Sequence, residues 1–155
     1  ERYKLKYQFY SETQDWLEHS ENEGNHVLLI DKVGILAELY TQADLAFVGG
    51  SFKGSVHSVM EPLAAGCVVL VGPHHKNNRE AIEFSNLTLP DLSMHVVQPL
   101  TSGDGINKYL GDYLSEPRAY IKEIVIDLVR PHKGSSQRLI DHLLRERILG
   151  ERSPS

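Results

Sequence analysis

The sequence predicts an α/β fold in which a Rossmann-like parallel sheet is flanked by helices. Three observations predict it. Short continuous apolar runs occur at residues 27–30, 45–48 and 67–71; helix-length segments separate them; and glycines follow two of the runs directly, as Gly49-Gly50 and Gly72-Pro73. Continuous apolar strands joined through helices are the mark of a parallel sheet buried on both faces.

Each element has its own local reason. Residues 3–10 place Tyr3, Leu5, Tyr7 and Phe9 on one side and mostly polar residues on the other, the period-two pattern of a half-buried strand. Residues 11–25 are polar apart from Trp16 and Leu17 and read as a long connection with one helical turn. The run at 27–30 is a strand, and Leu36, Leu39 and Tyr40 then recur at helical spacing. The run at 45–48 is the next strand, followed by a helix-compatible stretch over 57–65. Residues 67–71 are a strand, 78–84 a helix, and Val96-Val97 a further strand. Two helices follow. Ile106, Tyr109, Leu110, Tyr113 and Leu114 keep one face, and Ile121, Ile124, Val125 and Leu128 keep the next, between Pro117 and Pro131. Leu139, Ile140, Leu143, Leu144 and Ile148 form a last apolar stripe.

Size and composition bound the function. A chain of 155 residues is expected to form one domain over 1–150, with a disordered tail at 151–155. Composition is 41% hydrophobic and 24% charged, which excludes disordered and collagen-like classes. No apolar run approaches the roughly 18 residues that would span a bilayer, and the polar start at Glu1-Arg2 predicts no export signal. Cys67 is the single cysteine, so an internal disulfide is impossible and reducing, cytoplasmic conditions are expected. The net charge of −5 argues against nucleic acid as a partner. Lys133, Arg138, Arg145 and Arg147 alternate with Asp141, Glu146 and Glu151, which reads as a solvated helix face.

Chemistry is expected where the strands end. In an open parallel sheet, ligands sit at the carboxyl ends of strands, where following helices offer free N–H groups. The first junction, 48–62, combines Gly49, Gly50 and Gly54 with Ser51, Ser55 and Ser58, so that backbone or hydroxyls can approach an anion or a serine can cap the helix. Glu61, read as about one turn into that helix, is placed to accept hydrogen bonds from ribose hydroxyls. His57 is open to three roles: general acid or base, donor to a phosphate or glycosidic oxygen, or a packing residue. The second junction, 71–80, concentrates His74, His75, Lys76, Asn77 and Asn78. Adjacent histidines in a loop seldom face one ion, and no Cys or carboxylate lies at ligand spacing, so an anion pocket is expected rather than zinc. Cys67 opens an apolar strand and is expected to pack in the core.

The order of residues in 31–51, together with His57, Glu61-Pro62, Gly72-Pro73-His74 and Asn77, resembles the 3-deoxy-D-manno-octulosonic acid (Kdo) transferases of lipopolysaccharide synthesis. The resemblance is closest over 26–84. It implies the C-terminal, donor-binding half of a two-domain GT-B glycosyltransferase, and inverting, metal-independent and cofactor-free transfer of Kdo from CMP-Kdo to a lipid A precursor at the cytoplasmic face of the bacterial inner membrane. By position, Gly50, Ser51 and the His57-Ser58 helix start would hold the donor phosphate and Glu61 the ribose. His74 and Asn77 would line the pocket, with the Lys32 to Gly34 loop close by. No residue of these 155 is expected to be the catalytic base, although His57 is a candidate assistant. The stretch Ser55-Val56-His57-Ser58-Val59-Met60-Glu61 departs from the family's glycine-rich form, and the first strand-helix unit of the donor half is not matched. The chain alone is therefore expected to be inactive and to need an N-terminal acceptor domain. A sheet lacking its first strand leaves an edge that self-association would cover. Two alternatives stand beside this: the same domain serving a UDP-sugar, and a degenerate copy that binds a protein partner and no nucleotide.

Overall fold

The computed structural model describes residues 6–12, 26–54, 56–90, 92 and 94–132. The expectations for Ser55, for the apolar stripe from Leu139 to Ile148, for the basic residues after 132 and for the 151–155 tail lie outside them, as does most of the connection after residue 12. The chain divides into two compact units, Glu1–Glu38 and Leu39–Ser155.

In the first unit, β1 (Lys6–Phe9) pairs with β2 (His26–Leu29) in parallel, Lys6 opposite His26 and Phe9 opposite Leu29. Parallel pairing needs a connection of about a dozen residues or more, which the long polar stretch after β1 supplies. Among the described residues each of these two strands has one ladder partner, the other, so the pair keeps an unpaired edge on either side. Strand β1 also differs from its half-buried pattern: all four of its residues are exposed, Tyr7 at 66%. A short 3-10 turn follows, Tyr10–Glu12. There the Ser11 amide and hydroxyl both donate to the carboxylate of Asp31, joining the turns that follow the two strands. The Ser11 hydroxyl holds the Asp31 carboxyl below the usual carboxylate range. Helix α1 (Leu36–Gln42) leads into the second unit.

That unit is built on a parallel sheet in the order β3 (Leu45–Val48), β4 (Val68–Val71), β5 (Val97–Pro99). The single continuous sheet expected from the sequence is thus two sheets among the described residues, of two and three strands. All four residues of β4 are buried, and successive side chains point to opposite faces, so both faces of the central strand are covered. The connections are α2 (Met60–Ala64) between β3 and β4, and α3 (Arg79–Ser85) between β4 and β5. Helices α4 (Gly103–Leu114) and α5 (Arg118–Val129) complete the unit. Ile121, Val125 and Val129 recur every fourth residue and are fully buried, joining Leu63, Phe84 and the β4 valines in one core. Burying a side chain such as Phe84 contributes about 1.5–3 kcal/mol. Leu114, placed by the sequence on the core face, is instead 61% exposed.

Helix α2 is shorter than the stretch over 57–65 suggested. Pro62 is its third residue, and a proline ring in a helix collides with the carbonyl four residues earlier, here that of Ser58. A helix starting at His57 is therefore blocked, and Val56 to Val59 precede it. The end is a Schellman turn: Gly66 takes φ +88°, its amide donating to Leu63 and that of Cys67 to Pro62. Helix α5 lies against this turn so closely that a Cβ on Gly66 would sit 2.5 Å from Lys122 Cγ. Lys122 Nζ donates to the carbonyl of Thr41, and Arg118 pairs with Asp44, so α5 also grips the corner that leads into β3. Cys67 is fully buried, its thiol donating to the carbonyls of Tyr40 and Ala43, and burial pushes its pKa up. No helix among the described residues is long and apolar enough to cross a membrane.

Candidate functional site

The register between β3 and β4 aligns Val48 with Val71, so the two strands end side by side. Each is followed by one of the junctions singled out in the sequence. Parallel strands make this unavoidable, because both chains leave the sheet at the same edge.

Four hydrogen bonds then tie one junction to the other. The amide of Gly72 donates to Ser51 Oγ at 2.6 Å, and the amide of His74 to the carbonyl of Ser51 at 2.9 Å. The amide of Val56 donates to Asn77 Oδ1 at 3.3 Å, and Asn78 Nδ2 to the carbonyl of His57 at 3.3 Å. Each residue type has a local cause. Gly50, at φ +90°, turns the chain after β3, and its carbonyl accepts the amides of Lys53 and Gly54. This fold-back points Ser51 inward, where it is wholly buried. Gly72 must be glycine, since a Cβ there would lie 2.8 Å from Ser51 Oγ and from two carbons of the Phe52 ring. Phe52 in turn stacks on Phe47, both about half exposed. Asn78 serves two ends at once, its Oδ1 also accepting the amide of Ala81 at 2.8 Å as the N-cap of α3.

The braced loops border a cleft of about 360 Å³, lined by Gly54, Pro73, His74, Lys76 and Asn77. The structure thus brings His74 and Asn77 to one cleft, and Gly50 lies in the turn that leads to it. Three expectations change. Ser51 does not offer its hydroxyl to a ligand, because that oxygen is buried and occupied by the Gly72 amide. Ser58 does not cap α2, whose N-cap is Val59 with no side-chain bond, and a helix of five residues adds little dipole at this junction. Glu61 lies in the first turn of α2 rather than a turn further in. It is exposed and absent from the cleft lining; it contributes, after burial, to raising the pKa of the Tyr40 phenol. His57 and Ser58 are exposed on the segment leading into α2. Lys32 and Gly34 belong to the Glu1–Glu38 unit, in the turn between β2 and α1, where Lys32 Nζ stands 6.0 Å from the centre of the Tyr10 ring.

Three lining residues, Gly54, Pro73 and Lys76, were given no individual ligand role from sequence. Gly54 and Lys76 lie inside the quoted junctions, and no motif distinguishes them from their neighbours; only the fold-back of 50–54 against 72–77 does. His75, beside Lys76, is turned away, its Nδ1 3.2 Å from the carbonyl of Gly72. Among the described residues, no three His, Cys, Asp or Glu side chains gather as a metal site. The arrangement can hold an anion or a polar ligand between backbone, an imidazole, an amide and an ammonium group.

No protein-family model matches the chain. It is 30% identical over 143 residues to the 3-deoxy-D-manno-octulosonic acid transferase of Haemophilus influenzae, covering 90% of this chain and 32% of that protein. It is 34% identical over 70 residues to the enzyme of the same name from Chlamydophila psittaci, covering 44% of this chain and 16% of that one. Among solved structures, the C-terminal CMP-Kdo binding domain of WaaA from Acinetobacter baumannii superposes with a TM-score of 0.57 at 20% identity, covering 81% of this chain and 61% of that chain. That superposition establishes the fold, a Rossmann-like α/β domain of the GT-B type. The chain spans a third or less of the length of these two relatives. Within that span, it is similar to the 3-deoxy-D-manno-octulosonic acid transferases.

Proposed function

We propose that this chain is the donor-binding part of a glycosyltransferase that transfers Kdo from CMP-Kdo to a lipid A precursor. The observation that carries it is the brace between the two junctions, which shapes a cleft at the carboxyl ends of adjacent parallel strands. The relatives' names suggest the sugar and the name of the similar solved domain suggests CMP-Kdo, and the cleft's position supports a nucleotide there, because nucleotide ligands in such sheets bind where strands end. His74 and Asn77 contact the nucleotide side of the donor, Gly50 and Gly54 let backbone approach its phosphate, and Glu61, outside the cleft lining on the first turn of α2, is the acceptor assigned to a ribose that extends beyond it. His57 is available to assist at the departing phosphate. These residues all lie in the Leu39–Ser155 unit, and Lys32 and Gly34 fall outside it.

In the full protein an acceptor-binding part carries the catalytic base and meets the lipid at the cytoplasmic face of the inner membrane, and the transfer inverts the anomeric centre without a metal. The 155 residues on their own bind donor without turning it over. Calorimetric titration with CMP, UMP, GMP and their diphosphates tests this. CMP is expected to bind best, and Glu61→Ala to weaken it by about 1–3 kcal/mol. A clear preference for UDP or GDP overturns the donor assignment, and binding of no nucleotide at all overturns the function.

A further inference from the structure

The cleft's polar groups are not all available to a ligand. Ser51 Oγ is occupied by the Gly72 amide, Asn77 Oδ1 by the Val56 amide, and Asn78 by Ala81 on one side and His57 on the other. His75 stands against the Gly72 carbonyl and is not a lining residue. What is left facing the space with hydrogen-bonding capacity to spare is the His74 imidazole, the Asn77 amide nitrogen and the Lys76 ammonium. Of these, Lys76 alone brings an ammonium group, a compact charge with three donors. Its side chain is exposed and forms no ion pair among the described residues. Lys76 also falls outside the residues on which the resemblance rests, Gly72-Pro73-His74 and Asn77.

We infer that Lys76 is a specificity-determining residue: its ammonium group, at the border of the cleft, selects ligands that carry an oxyanion. This rests on the donor-site reading above and adds to it the group that recognises charge. A chain with net charge −5 repels anions at long range, so a ligand with a phosphate or sugar-acid carboxylate needs a local cation to be held. An ammonium on a flexible stem suits that purpose, since it reaches either oxyanion without demanding one bidentate geometry.

The test compares the wild-type chain with Lys76→Gln, and with Lys108→Gln as a control on α4 away from the lining. Each is titrated with cytidine, CMP, CMP-Kdo and inorganic phosphate, and binding is followed by amide chemical shifts. Lys76→Gln is expected to weaken CMP by about 3- to 10-fold while cytidine is unchanged, and to flatten the dependence of CMP affinity on salt. Equal losses for CMP and CMP-Kdo assign the oxyanion to the phosphate. A loss confined to CMP-Kdo assigns it to the sugar carboxylate. Should no cytidine ligand bind the wild type, the donor reading fails by itself, and the phosphate titration still decides Lys76: a weaker phosphate response at Gly54 and His74 in the variant supports it. Affinities of Lys76→Gln for CMP, CMP-Kdo and phosphate within twofold of wild type, or the same loss in Lys108→Gln, overturn the inference.

Discussion

Removing one oxygen at Ser51 should loosen both junctions. In Ser51→Ala the Gly72 amide, itself buried, loses the acceptor now 2.6 Å away, and the burial of residue 51 keeps that amide from solvent. A buried donor left without a partner costs about 1–3 kcal/mol, more than the bond itself is worth net, because the desolvation of the amide is no longer offset. For a folding unit of this size that is a fall of about 3–10 °C in melting temperature. The assay is urea unfolding followed by circular dichroism, joined to amide hydrogen exchange at Gly72 and His74. Exchange at both should quicken, since His74 is bonded to the same residue's carbonyl. Gly72→Ala supplies the complementary perturbation. The half-exposed Phe52 ring can swing aside from the new methyl, but the buried Ser51 oxygen cannot, so this variant should cost about 1–3 kcal/mol. In the double variant the methyl–oxygen overlap is absent, and the losses should sum to less than the two singles. Stability of Ser51→Ala within about 0.5 kcal/mol of wild type, with unchanged exchange at Gly72, would refute the brace.

Three further outcomes follow from the same coordinates. Asn78→Ala removes both the cap of α3 and the bond to His57, and should cost about 1–2 kcal/mol in urea unfolding, while Asn78→Ser, which keeps a capping oxygen, should recover part of it. Gly66→Ala puts a side chain at φ +88° and its Cβ 2.5 Å from Lys122 Cγ, so a loss of at least about 2 kcal/mol is expected, and an unchanged melting temperature would contradict the packing of α5 on that turn. Burial raises the Tyr113 phenol to about 12, with Asp44 adding to the shift, and burial raises Tyr109 as well. Because the folded state favours the neutral phenol, its contribution is whole below the unfolded value of about 10 and is lost as pH climbs toward 12. Melting temperatures should therefore drop between pH 10 and 12, and less steeply in Tyr113→Phe.

Much of the second unit was legible in the sequence because its signals are local. The run Val68–Val71 is apolar and mostly β-branched and ends at Gly72-Pro73, which fits a strand covered on both faces, and Ile121 and Val125 show their helical spacing directly. Asn78 sits where a capping residue belongs, just before the helix it caps. The start of α2 was legible too, through Pro62, although the apolar spacing over 57–65 masks it. Other features depend on partners distant in sequence. Whether Ser51 faces a ligand or the core is decided by Gly72, 21 residues away, and nothing near Ser51 encodes that choice. The alternation in β1 marks a strand and says nothing of its burial, which depends on what packs beside it; here every residue is exposed. Lys76 looks like any loop lysine until the fold-back of residues 50–54 gives it a cleft to border.

Amide chemical shifts of the 155-residue chain titrated with CMP test the central claim most directly. Saturable changes centred on Gly54, His74, Lys76 and Asn77, with α4 and α5 little affected, are what a nucleotide held between the braced junctions produces. Shifts that gather on another face of the chain, or a spectrum left unmoved at millimolar CMP, would contradict it.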